Sequence, residues 1–178
     1  LSMSRVDNGS KHIFILGFMG SGKSLVGSAL ATQINLPFID LDHRIEQFEK
    51  RSIPEIFDRS GETRFREIEK DALYKLFTTP PSVIAVGGGT PCYHNNMEEM
   101  NTNGLTLFLN PSNEELLTRL YKSKRKRPLI EGMDKATLKR FIDRTLTERM
   151  PFYSQARYIL TSDDPTVEEI TDLLGIFR

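Results

Sequence analysis

The first hydrophobic run, Lys11-His12-Ile13-Phe14-Ile15-Leu16, is short, β-branched and aromatic, and it ends in a glycine-rich turn. That pattern predicts a strand of a parallel sheet, buried on both faces. Across 24–33, Leu25, Val26, Ala29 and Leu30 recur at helical spacing, and Pro37 then opens a second strand over 38–42. Residues 54–77 read as a helix in two pieces, parted near Ser60-Gly61 and stopped by Pro80-Pro81. Its apolar faces carry Ile56, Phe57, Phe65, Ile68, Ala72, Leu73 and Leu76. A third strand at 82–86 runs straight into Gly87-Gly88-Gly89, and a fourth follows at 105–109. Ser112 with Glu115 three residues later is a capping box that starts the next helix. A helix over 135–149, a fifth strand at 158–160 and a last helix over 166–174 complete the pattern.

Five strands alternating with helices predict an α/β fold with a parallel sheet covered on both faces, because right-handed crossovers leave few other topologies. Ligands then bind at the carboxyl ends of the strands. The 178 residues fit one domain over 11–178, and the polar start, 1–10, reads as a flexible N-terminus or an added remnant. Lys plus Arg number 24 and Asp plus Glu number 24, so no global charge draws the chain to nucleic acid or an acidic membrane. Cys92 is the lone cysteine and no apolar run approaches the roughly 20 residues of a membrane span, which together suit a reducing cytoplasm. No base neighbours Cys92, and His12, His43 and His94 lack metal-ligand spacing.

Gly17-Phe18-Met19-Gly20-Ser21-Gly22-Lys23-Ser24 matches G-x-x-x-x-G-K-[ST] between a predicted strand and a predicted helix. Glycines let backbone N–H groups from Gly20 to Leu25 wrap a β-phosphate, and the helix N-terminus turns partial positive charge on the anion. Lys23 would reach the β- and γ-phosphates of ATP, and the Ser24 hydroxyl would ligate Mg²⁺. The acceptor must be read elsewhere, since this cradle serves motors, switches and kinases alike. Asp40 and Asp42, two apart at a predicted strand end, would point to one side, one serving metal and the other substrate. A solvated strand end or a helix N-cap at Asp42 is the plainer alternative.

The loop from Gly17 to Ser24, the Asp40-Leu41-Asp42 pair, Phe65-Arg66 with Glu69, the triplet Gly87-Gly88-Gly89, Arg127-Pro128-Leu129, and Arg149 with Pro151 and Tyr153 resemble shikimate kinase in kind, order and spacing. The resemblance covers nearly the whole chain. It implies a three-layer P-loop kinase fold with a mobile lid, acting as a cytoplasmic monomer in aromatic amino acid biosynthesis. The implied reaction moves the γ-phosphate of MgATP to the 3-hydroxyl of shikimate. By the same resemblance Asp42 binds the ring hydroxyls beside the attacking oxygen, Asp40 holds Mg²⁺ through water, and Arg66 and Arg149 clamp the substrate carboxylate. Gly87, Gly88 and Gly89 let substrate approach the backbone, Phe57 and Phe65 are either pocket walls or plain core, and Glu69 orients Arg66. Arg66 and Arg149 also have plain readings, as a paired surface charge and a helix C-terminal cation. The family has an arginine that packs on adenine before its lid, and Arg119 sits near that place.

Residues 122–128 hold five cations in seven positions, which in isolation would read as a nucleic-acid patch or a solvated face. Between the fourth-strand unit and the next helix they suit a lid, about 122–134, in which Arg127 neutralises the transferring phosphoryl group. Gluconate or adenylate kinases would share cradle and lid but not the triplet with two acid-binding arginines; a non-catalytic nucleotide-binding module would lack an acceptor site. Arg127→Ala is expected to lower kcat by about 10³-fold or more while leaving nucleotide affinity much less changed. Ordinary turnover by that variant in a coupled ADP assay would exclude the lid role.

Overall fold

In a computed structural model that describes residues 11–123 and 127–176, five strands form one all-parallel sheet in the order β2-β3-β1-β4-β5. These are β1 (His12–Leu16), β2 (Phe38–Asp40), β3 (Val83–Ala85), β4 (Gly104–Leu109) and β5 (Tyr158–Leu160). The helices are α1 (Lys23–Ile34), α2 (Leu41–Glu49), α3 (Ile53–Leu76), α4 (Asn96–Asn103), α5 (Asn113–Lys122), α6 (Lys135–Tyr153) and α7 (Val167–Leu174). Short 3₁₀ turns at Thr90–Cys92 and Pro128–Ile130 complete the described elements. The expected flexible start, 1–10, and lid residues 124–126 lie outside the described residues.

The alternation of β1 divides the core. Ile13 and Ile15 face one side, with Leu30 and Ala31 of α1 and Ile170 and Leu174 of α7. Phe14 and Leu16 face the other, with Leu41, Ile56, Leu73, Leu116 and Ile142 from α2, α3, α5 and α6. All these side chains are buried, which gives the expected three layers. No described helix is long and apolar enough to cross a membrane.

Strand order reverses at β1, so the crevice opens at its carboxyl end, where the phosphate loop begins. Asp40, Ala85 and Ile15 lie level across β2, β3 and β1. Register therefore delivers Asp42, Gly87 and Gly17, each two residues on, to one edge.

Several boundaries differ from the sequence expectation. The second strand ends at Asp40, which becomes the N-cap of α2, its carboxylate accepting from the His43 N–H at 3.2 Å. Asp42 thus rides the first turn of a helix, and neither strand alternation nor an N-cap role applies to it. Ser112 accepts from the Glu115 N–H, but the reciprocal half of the expected capping box is replaced by Asp163, whose carboxylate accepts from Ser112 N at 2.7 Å. Helix α6 continues beyond 149 through Pro151 to Tyr153. Helices α2 and α4 were not legible in the pattern.

The break in α3 falls at Gly61, with φ 76° and ψ 170°. That backbone region is open essentially to glycine alone. A Cβ there would meet nothing within 4 Å, so strain is the only penalty. Gly61→Ala is expected to destabilise the fold by about 1–3 kcal/mol in urea unfolding; a change below about 0.5 kcal/mol would show that packing does not hold the kink.

Candidate active site

Helix α1 starts without a side-chain cap. Its N-cap is Gly22 at φ 95°, whereas α2, α3, α5, α6 and α7 are capped by Asp40, Ser52, Ser112, Asp134 and Thr166. The exposed donors of α1 and of the loop before it are therefore available to an anion. Lys23 Nζ donates to the carbonyls of Gly17 at 2.8 Å and Phe18 at 3.0 Å, folding back over the loop. Ser24 Oγ donates to Asp40 Oδ2 at 2.7 Å. Arg119 donates to the Gly20 carbonyl at 3.2 Å, to the Asp163 carbonyl and to Glu115, tying the loop to the segment before α7.

A cleft of about 1460 Å³ runs over this edge. It exceeds the roughly 300–1,000 Å³ of a one-ligand pocket. Its wall includes Gly20, Ser21, Gly22, Lys23, Ser24, Leu25, Asp40, Asp42, Phe57, Gly87, Gly88 and Arg127, together with Arg119 and Pro165. Arg66, Gly89 and Arg149 are not on that wall, so of the residues expected to bind the acceptor only Asp42, Gly87 and Gly88 line the cleft itself. Phe57 lies on the wall, whereas Phe65 is buried, their ring centroids 4.5 Å apart. The two aromatics thus divide between the two sequence readings.

At the end of β3, each glycine faces a charged side chain. A Cβ on Gly87 would lie 2.9 Å from Asp42 Oδ1, one on Gly88 2.9 Å from Arg149 Nη1, and one on Gly89 2.8 Å from both terminal nitrogens of Arg66. For Gly89 the distance to Cζ is longer, 3.1 Å, which puts that point at the open fork between the two Nη atoms. Only a glycine leaves the fork accessible. Arg149 lies with Cζ 5.6 Å from the Phe18 ring centroid, one helical turn before Tyr153. The buried Tyr153 hydroxyl donates to the Gly88 carbonyl at 2.5 Å, and Arg149 Nη1 approaches that hydroxyl at 3.4 Å. Helix α6 had to run past 149 to place this tyrosine.

Arg66 does pair with Glu62 and Glu69, as the plain reading held, but its side chain is only 13% exposed. Glu69 is buried, accepting from Arg66 Nη1 at 3.0 Å and from Thr90 Oγ1 at 2.6 Å. Thr90 is a contributor that no motif singled out; the signal available was its position next to the triplet.

Charge is concentrated here. Burial pushes the Lys23 ammonium down to about 8, opposed by Asp42 and reinforced by Arg149 and Arg127. Burial pushes the Asp42 carboxyl up to about 6, with Glu69 and Asp40 adding to the rise and Lys23 opposing it. A carboxyl near 6 is suited to taking a proton from an alcohol at neutral pH.

A family model described as Shikimate kinase matches residues 19–175. A shikimate kinase of Bacteroides thetaiotaomicron is 43% identical over 152 residues, 85% of this chain and 87% of its own. One from Bacteroides fragilis is 40% identical over 172 residues, 92% and 96% of the two chains. Among solved structures, shikimate kinase from Bacteroides thetaiotaomicron matches with TM-score 0.90 and 39% identity, covering 93% of this chain and 99% of that one. Shikimate kinase from Acinetobacter baumannii in complex with shikimate gives 0.80 and 30%, covering 94% and 92%. A gluconokinase from Sinorhizobium meliloti gives 0.52 and 15%, a likeness of fold alone.

Because the folded pKa of Asp42 rises from 3.8 to about 6, this group withdraws stability as pH climbs through that interval. Carbon-detected NMR titration of the unliganded protein is expected to give the Asp42 carboxyl a midpoint near 6, shifted higher in Lys23→Met. A midpoint near the ordinary 3.8 would contradict the burial argument.

Proposed function

Because this chain belongs to the shikimate kinase family, we propose that its cleft carries out that family's reaction with the residues gathered on the glycine triplet. The activity is ATP-dependent phosphoryl transfer to shikimate, within aromatic amino acid biosynthesis. One observation carries the residue assignment: Gly87, Gly88 and Gly89 leave room, one each, for Asp42, Arg149 and Arg66.

In this reading the backbone N–H groups from Gly20 to Leu25 and the Lys23 ammonium hold the β- and γ-phosphates. Arg66 and Arg149 anchor the acceptor's carboxylate, and guanidinium forks match that anion bidentately without losing charge. Asp42 orients the 3-hydroxyl and receives its proton as the new oxygen–phosphorus bond forms and the bond from the γ-phosphorus to the β-phosphate oxygen breaks. Arg127, on the cleft wall, neutralises charge on the transferring group. No covalent phosphoenzyme is needed.

The hydroxyl of Ser24 and the carboxylate of Asp40, 2.7 Å apart, form an all-oxygen donor set that fits Mg²⁺. Ser24 would ligate it directly and Asp40 through water. When bound, Mg²⁺ supplies charge neutralisation on the phosphates. In this reading the enzyme is a monomer of one domain over 11–178 that acts in the cytoplasm.

Gly89→Ala would put a methyl group 2.8 Å from both Nη atoms of Arg66. The expected result in a coupled ADP assay is a rise of about tenfold or more in the KM for shikimate, the loss of a bidentate contact, with the KM for ATP little changed. Turnover of gluconate or a nucleoside monophosphate in place of shikimate would overturn the reading.

A further inference from the structure

Above Arg66 lies a rim that the phosphate chemistry does not use. Tyr93 ends the 3₁₀ turn after the triplet in an extended conformation, φ −120° and ψ 151°, and His94 behind it takes φ 51°. The sharp turn leaves the Tyr93 ring centroid 3.9 Å from Cζ of Arg66, nearer than the rings of Phe65 at 5.1 Å or Phe57 at 6.0 Å. The Tyr93 hydroxyl donates to Glu62 Oε1 at 2.8 Å. That same oxygen accepts from Arg66 Nη2 at 3.2 Å and, at longer range, from Nε at 3.4 Å.

Of the guanidinium's five N–H donors, one on Nη1 goes to Glu69, while Nε and one on Nη2 go to Glu62. One hydrogen remains on each Nη, and those two form the fork that Gly89 leaves open. Glu69 fixes one corner of the group and Glu62 the opposite edge. Glu62 has a 54% exposed side chain, and a surface i, i+4 pair holds little by itself. Tyr93 supplies the missing restraint, pinning Glu62 through its hydroxyl and covering one face of the guanidinium with its ring. The Tyr93 hydroxyl is also the largest influence holding the Glu62 carboxyl below its usual range.

We propose that Tyr93, acting with Glu62, is a positioning residue that holds the fork of Arg66 in the plane of the incoming carboxylate and so sets the preference for an acid acceptor. The inference rests on the reading of Arg66 as an acid anchor. Tyr93 touches no reacting atom, so its effect falls on acceptor binding and discrimination.

Steady-state kinetics at saturating MgATP test this, together with calorimetric titration of shikimate and its uncharged methyl ester. Tyr93→Phe keeps the ring and removes the hydroxyl; it is expected to raise the KM for shikimate about three- to tenfold, with kcat and the KM for ATP within about twofold. Glu62→Gln should behave alike, and Tyr93→Leu should cost about threefold more through loss of the ring contact. The affinity ratio of acid to ester should fall by the same factors, a change that general loosening, monitored by Tm, would not produce. Arg66→Gln separates the two failures. If it leaves the KM for shikimate unchanged, the acid-anchor reading falls and this inference with it. If Arg66→Gln raises that KM while both Tyr93 variants keep the parental KM and ratio, the positioning role alone is overturned. Equal weakening of acid and ester in Tyr93→Leu would make Tyr93 a steric wall and overturn it as well.

Discussion

Absence of side chains at the end of β3 is the constraint on which the site depends. Three elements distant in sequence, α2, α3 and α6, each bring one charged group to within van der Waals range of a different glycine. Parallel register makes this possible, because Asp40 and Ala85 are level and the chains leave β2 and β3 at the same edge. An alanine anywhere in the triplet would have to displace a carboxylate or a guanidinium, so the geometry of this edge is written into backbone as much as into the charged residues.

Those charges are held against water rather than with it. Burial disfavours the charged forms of both Lys23 and Asp42, while their attraction for one another favours them. The result is a cation ready to gain by meeting a phosphate and a carboxyl near the range in which it can accept a proton. Arg149 and Arg127 add to the load of positive charge on Lys23. The arrangement is costly in isolation and favourable once anions enter, which is the electrostatic signature of a site built for charged ligands.

Much of this was legible from short-range pattern. The strand of 12–16, the glycine loop and the start of α1 are adjacent in sequence and each supports the others. The glycine break in α3 and the spacing of Arg66 to Glu69 were equally local. What failed needed partners from afar. Asp40-Leu41-Asp42 reads as a strand end because nothing in that triplet shows Asp40 turning to cap α2. The capping box at Ser112 looked complete until Asp163, 51 residues on, took the reciprocal bond. Helix α4 hides two buried methionines among Asn, Glu and Thr. Tyr93 meets Glu62 across 31 residues, with no periodicity to announce it.

Asp40 has both carboxylate oxygens engaged, one receiving the Ser24 hydroxyl and the other the His43 amide. A single short side chain therefore fastens the start of α1, beside the glycine loop, to the start of α2, the helix that bears Asp42. Replacing it cuts two bonds at once, so an Asp40 variant loosens the junction of α1 and α2 whatever else it changes.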